Sequence, residues 1–156
     1  MNCISYIKGD ATSPQLEGNK IIVHVCNDIG GWGKGFVMAI SAKWIAPEKQ
    51  YRQWYHSKQN FALGEVQLVK VEEDIWIANL IGQRNINKDE FGNPPVRYDA
   101  IENGLRKIAV FAKLHTASVH MPRIGCGLAG GKWEQMEPLI VKALCENEIK
   151  VTVYDF

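Results

Sequence analysis

The sequence predicts one α/β domain, residues 1–156, built as three α/β/α layers around a mixed, mainly parallel central sheet. Strand-like and helix-like segments alternate along the chain, which places helices on both faces of one sheet. Residues 20–26, Lys-Ile-Ile-Val-His-Val-Cys, are apolar enough to be buried on both faces, as strands in such a sheet are. A length of 156 residues accommodates a single well-buried core and little more.

Taken in order, residues 2–7 and 20–26 read as strands. Phe36, Ile40 and Trp44 lie four residues apart, the spacing of a helix face, so 34–44 reads as a helix. Pro47 opens a second helix to Lys58, since proline suits a first turn. Segments 64–71 and 74–81 form a strand pair about the acidic turn Glu72-Glu73-Asp74. Residues 87–95, with Gly92-Asn93-Pro94-Pro95, make a loop. Ile101, Leu105, Ile108 and Ala112 share the next helix face. Residues 117–121 are a short strand. A last helix covers 134–146, with its first true turn expected at Pro138. Residues 151–156 are the terminal strand.

Composition excludes several functions. With 46% hydrophobic and 22% charged residues the chain is globular, and a net charge of +1 leaves no basic stripe for gripping nucleic-acid phosphates. Apolar runs are too short for a bilayer, and the N-terminus lacks the pattern of a signal peptide. The scattered cysteines Cys3, Cys26, Cys126 and Cys145 are expected to be reduced thiols of a cytoplasmic protein. No cluster has metal-ligand spacing, so neither a metal nor another cofactor is expected.

Ligands of such folds bind beyond the carboxyl ends of strands. Two loops there are rich in glycine. Asn27-Asp28-Ile29-Gly30-Gly31-Trp32-Gly33-Lys34-Gly35 leads into a helix, and glycines beside a helix start make an anion site. The alternative is a plain turn with Trp32 tucked into the core. Gly125-Cys126-Gly127-Leu128-Ala129-Gly130-Gly131 matches G-x-G-x-x-G, but too late in the chain for a Rossmann unit. A P-loop would need glycine at Cys126 and serine or threonine at Trp133, and a cysteine-phosphatase loop arginine at Lys132. A second phosphate cradle remains, and two cradles suit a diphosphate. Beside them, His24 is either a core histidine or an acid/base group, and Asn27 either a loop cap or a ribose contact. Asp10 is an adenine acceptor or a turn residue. Tyr154 and Phe156 are a stacking surface or the end of a core strand.

Gly9-Asp10-Ala11-Thr12, His24-Val-Cys26-Asn27 with Gly30-Gly31-Trp32-Gly33-x-Gly35, Met121-Pro122-x-Ile124-Gly125-Cys126-Gly127-Leu128, and Thr152-Val153-Tyr154 together resemble the macrodomain family. They are most similar to its yeast-type ADP-ribose 1″-phosphate phosphatases and terminal ADP-ribose protein glycohydrolases. The resemblance implies a macrodomain-like fold and a monomer that binds ADP-ribose or an ADP-ribosylated substrate. Nucleic acid would then be a partner only if ADP-ribosylated. It implies that Asp10, with Gly9 and Ala11 beside it, holds the adenine, and Tyr154 and Phe156 are the candidates from the residue reading for stacking on that base. Asn27, Gly31, Trp32, Gly33, Lys34, Gly35 and Phe36 would hold the distal ribose and diphosphate. Ile124, Gly125, Cys126, Gly127, Leu128, Ala129 and Gly130 would clasp the diphosphate from the other side. Expected activity is that of an ADP-ribose 1″-phosphate phosphatase-like hydrolase, with His24 as acid/base and Asn27 positioning water or ribose. The alternatives are a reader without turnover and a glycohydrolase or deacylase. By the same resemblance, glycohydrolases carry a lysine and an aspartate at the positions that Gln83 and Ala129 occupy here, so the resemblance does not extend to the groups of that mechanism.

Overall fold

A computed structural model describes residues 3–156. The proposed start of the first strand at residue 2 lies outside them. Six strands form one sheet: β1 (Ile4–Lys8), β2 (Lys20–Asn27), β3 (Val66–Glu72), β4 (Ile75–Gln83), β5 (Ser118–Met121) and β6 (Val151–Asp155). Their order is β1-β6-β5-β2-β4-β3. All neighbours are parallel except the hairpin β3–β4. The four helices are α1 (Phe36–Lys43), α2 (Ala46–Ser57), α3 (Tyr98–His115) and α4 (Trp133–Ala143).

Alternation along β2 divides the core in two. Ile21 and Val23 face one apolar layer, which includes Leu105 and Ile108 of α3 and Met136 and Ile140 of α4. Ile22 and Cys26 face the other, with Val37 and Ile40 of α1 and Tyr51 of α2. This period of two sandwiches β2 between helix layers, as its apolar run requires. Between Cys26 and Asn27 the pairing with β4 skips Gly82, so Asn27 stands opposite Gln83. A side chain at Gly82 would meet Ile101 Cδ1 at 2.3 Å, so α3 lies directly on the strand there.

Two expectations need correction. Pro138 sits inside α4, which begins at Trp133. Lys132 is extended and its carbonyl accepts the amides of Gln135 and Met136, so the helix is already turning before the proline. Pro138 costs only the bond to Glu134, on an exposed face. The helix also ends sooner, at Ala143, followed by a 3₁₀ turn at Cys145–Asn147. The cysteines are not all free thiols: Cys3 and Cys145 form a disulfide with Cα atoms 5.4 Å apart. β1 pairs with β6, and that places the start of β1 beside the chain that leads from α4 into β6. Cys26 and Cys126 remain free.

Candidate functional site

The carboxyl ends of β1, β6, β5, β2 and β4 form one edge, and every segment singled out in the sequence lies on it. The loop after β2 (residues 28–35) is held from beneath. Asn27 Oδ1 accepts the amides of Ile29 at 3.0 Å and Gly31 at 2.9 Å, and its Nδ2 donates to Gly31 O at 2.9 Å. Helix α2 supplies further donors. Tyr51 Oη lies 2.7 Å from Asn27 O and 2.9 Å from Asn27 Oδ1, and Arg52 donates to Gly30 O and Trp32 O. At Gly30, φ is +77° and a Cβ would meet the Tyr55 ring at 2.4 Å, so only glycine fits. With carbonyls committed downward, the amides of Trp32, Gly33, Lys34 and Gly35 find no acceptor among the described residues. They run into the start of α1, whose dipole also favours an anion.

The loop after β5 is closed by its own backbone. Cys126 N donates to Arg123 O, Gly130 N to Gly127 O, and Gly131 N to Gly125 O at 2.7 Å. Val96 N donates to Ala129 O, and Tyr98 Oη accepts Lys132 N. The amides of Gly125, Gly127, Leu128 and Ala129 find no acceptor among the described residues. The two loops meet: Leu128 Cδ1 lies 3.5 Å from where a Cβ on Gly35 would stand. Gly33 and Gly127 are exposed, with nothing within 4 Å of an added Cβ. Two sets of free amides therefore stand on adjoining loops, the arrangement that a diphosphate needs.

At the β1–β6 end, Asp10 Oδ1 accepts Thr12 N at 2.8 Å and Thr12 Oγ1 at 2.7 Å. Burial works against ionisation of Asp10, but the Thr12 bonds and nearby Lys43 outweigh it and hold the carboxyl below its ordinary range. Oδ2 has no hydrogen-bond partner among the described residues, so one acceptor remains for a base. Tyr154 is buried. Its hydroxyl accepts Gln15 N and bonds His120 Nδ1, and its ring lies under Gly9. It is a floor to the base loop and offers no open stacking face. Phe156 is 99% exposed.

His24 is placed unlike an acid or base. It is 2% exposed, with Nε2 2.5 Å from Asn79 Oδ1 and its ring edge-to-face with Trp32 at 5.2 Å. Burial lowers its pKa to about 4 against the Asn79 bond, so the ring is neutral near pH 7. In this structure His24 is thus a core side chain, enclosed by Trp32 and bonded to Asn79. Trp32 is buried as well, its ring tilted against Tyr51 at 5.5 Å and its Nε1–H donating to Ser41 Oγ at 2.8 Å. Its amide, not its ring, faces the site. Phe36 and Lys34 flank it, half-buried and exposed respectively. Ile124, Ala11 and Ala129 bury their side chains and offer only backbone. Cys126 is half-buried, and burial raises its thiol pKa, which suits a filler rather than a nucleophile. Gln83 donates Nε2–H to Asn85 O.

Sequence reading missed the bracing by α2, since Tyr51, Arg52 and Tyr55 read only as helix. It also missed a third wall. The 84–95 loop joins the first glycine loop through Asn85 N to Asp28 Oδ1 at 2.7 Å, and Pro94 lies against Gly130 of the second. An open groove of about 560 Å³ lies elsewhere, between Thr12–Gln15, the end of α1 and the β3–β4 turn. Its polar groups already serve one another: Lys43 donates to Thr12 O and Ser13 Oγ, Trp44 to Glu72, and Lys20 to Asp74. The glycine loops, with their uncommitted amides, are the better candidate. Among the described residues no group of three or more His, Cys, Asp or Glu side chains is placed to hold a metal ion.

No family model matches the chain. Among curated proteins it is 33% identical over 160 residues to a zebrafish (Danio rerio) chromodomain-helicase-DNA-binding protein 1-like, covering 97% of this chain and 15% of that one. The mouse protein of that name is 32% identical with 18% covered, so the chain spans less than a fifth of these relatives. It is 27% identical to an ADP-ribose 1″-phosphate phosphatase of Candida albicans, covering 86% of this chain and 89% of the other. Among solved structures, a protein of unknown function from Bacteroides thetaiotaomicron is 61% identical at TM-score 0.97, with 98% of each chain covered. A macrodomain protein from Streptomyces coelicolor is 51% identical at TM-score 0.88, with 98% of this chain and 99% of that one covered. Half of all positions shared with a macrodomain protein over 99% of its length, at a TM-score of 0.88, make this chain a member of the macrodomain family.

Proposed function

We propose that the chain binds ADP-ribose or a derivative across this edge and hydrolyses it in the manner of an ADP-ribose 1″-phosphate phosphatase. The observation that carries the reading is the two adjoining sets of free amides, Trp32–Gly35 and Gly125 with Gly127–Ala129. Strand order extends it: Asp10 follows β1, the amide loops follow β5 and β2, and Gln83 ends β4. Base, diphosphate and distal ribose then lie in sequence along the edge. Hydrolysis of a phosphate ester there would draw its rate from amides aimed at developing negative charge. His24 and Asn27 contribute by fixing the loop; the one Nδ2 hydrogen of Asn27 not given to Gly31 is the side-chain donor left to orient water or ribose.

A reader without turnover is the second reading. It is favoured by the enclosure of His24 and by Gln83 and Ala129 at the positions where glycohydrolase relatives carry lysine and aspartate. The test uses Gly33→Val and Gly127→Val, whose side chains enter open space and leave folding intact. Calorimetry should show ADP-ribose bound well above AMP and inorganic phosphate by the unaltered chain, and binding lost by about a hundredfold in either variant. Full affinity in both variants would remove the two-loop cradle. Phosphate release from ADP-ribose 1″-phosphate then separates hydrolase from reader.

A further inference from the structure

Asp155, the last residue of β6, holds two segments at once. Its main-chain carbonyl accepts Gly9 N at 2.8 Å, at the root of the base loop. Its carboxylate takes both Nε and Nη2 of Arg123, at 2.7 and 3.1 Å. Arg123 stands immediately before Ile124, and its carbonyl accepts Cys126 N inside the second glycine loop. The guanidinium lies 5.3 Å from the Tyr6 ring and 5.1 Å from Trp133. Those two rings are themselves joined, Trp133 Nε1–H donating to Tyr6 Oη, which also bonds Glu137.

An ion pair with side chains 40% and 46% exposed adds little to stability. Its forked geometry and its aromatic flanks do, however, define one orientation of the arginine. We infer that the Arg123–Asp155 pair is a positioning clasp that fixes the base loop relative to the second phosphate loop, so that one ligand grips both at once. This rests on the ADP-ribose reading. A ligand bound at two subsites gains affinity from their fixed separation, and that gain is lost when the separation varies, without loss at either subsite alone.

The test compares ADP-ribose with its separate parts, adenosine and inorganic pyrophosphate, by calorimetry and by NMR titration. The proteins are the unaltered chain, Arg123→Gln, Asp155→Asn, Arg123→Lys and the exchange Arg123→Asp with Asp155→Arg. We expect Arg123→Gln and Asp155→Asn to weaken ADP-ribose about tenfold while adenosine and pyrophosphate stay within about twofold. Melting temperatures should barely move. Arg123→Lys should fall between, and the exchange should recover part of the loss. Unchanged ADP-ribose affinity in both neutral variants would overturn the clasp while leaving the pocket reading standing. Parts that weaken in step with ADP-ribose would overturn it too, since they would indicate direct contact or lost folding. Failure of the unaltered chain to bind ADP-ribose would instead remove the underlying reading, and the clasp with it.

Discussion

The loop after β2 hangs from side chains that reach it from elsewhere, whereas the loop after β5 is tied largely to itself. Asn27 and Arg52 occupy three carbonyls (Gly30, Gly31 and Trp32) and Asn27 two amides of the first, and Tyr51 holds Asn27 in turn. Three bonds between main-chain atoms of residues 123–131 close the second. Both end with amides turned outward, so the same binding surface is reached by two kinds of support. They should also fail differently. Outside Gly30, where only glycine fits, a loop braced by several side chains loses one brace at a time. A loop closed by its backbone fails when a single glycine is replaced.

The largest effect expected on binding is at Gly131. A Cβ there would stand 2.5 Å from Gly125 O, a backbone atom that cannot swing aside. Gly131→Val should break the Gly131–Gly125 bond, lower stability by roughly 3 kcal/mol and reduce ADP-ribose affinity more than a hundredfold. Tyr51→Phe is the counterpart in the first loop, since it removes one hydroxyl and keeps the ring. It should cost about 1 kcal/mol and a few-fold in affinity. Thermal melts and calorimetry on both variants check this. Equal losses would show that the two loops are supported alike and break the comparison.

How much of this could be read from the sequence follows the same division. The second loop was legible because its support is the glycine pattern itself. The first was legible as a glycine loop, but its braces lie some twenty residues on, where Tyr51 and Arg52 read only as positions of an amphipathic helix. The strands were legible because β2 and β4 are apolar runs, and the loop-rich edge followed from their order. His24 was ambiguous because strand alternation gives its face and not what covers it; Trp32 and Asn79 close over it. The Cys3–Cys145 pair joins residues 142 apart in the chain, and only the β1–β6 pairing reveals it. Pro138 misled because a proline is tolerated where its missing bond faces solvent.

An effect on stability alone, read through pH, separates the strands beneath the loops. His24 on β2 and His120 on β5 are both buried, and burial lowers each pKa to about 4; Lys20 adds to the effect at His120. In the unfolded chain they titrate near 6.5. Unfolding therefore takes up protons between those values, and the stability that neutral histidine lends is full above pH 6.5 and lost as pH falls towards 4. The loss should reach roughly 3 kcal/mol for each residue at most. Denaturant unfolding from pH 7.5 to 4.5 measures it. His24→Asn and His120→Asn should each flatten the profile by about half. A profile unchanged by His24→Asn would mean that His24 is reached by water, and would reopen its role in proton transfer.

The smallest effect concerns the chemistry the first and second loops frame together. Gln83 ends β4 opposite Asn27, and Ala129 sits in the second loop, 4% exposed, with its carbonyl on Val96 N. Both loops keep their free amides, so the unaltered chain should bind ADP-ribose yet release it very slowly from an ADP-ribosylated glutamate. Gln83→Lys restores an amine at a half-buried position whose side chain now bonds Asn85 O. Ala129→Asp is harder, because a carboxylate in that packed place must either desolvate or push the loop outward. The aspartate should therefore lower the melting temperature, and the double variant should gain detectable release well short of a natural enzyme, since neighbouring groups do not support the new pair. Neither single change should match the pair, because groups that act as a unit are not additive. Release of ADP-ribose from a mono-ADP-ribosylated protein by the four proteins, side by side, is the measurement. Brisk release by the unaltered chain would mean that a catalytic group already stands between the loops, and glycohydrolysis would replace phosphate-ester hydrolysis as the activity proposed for this edge.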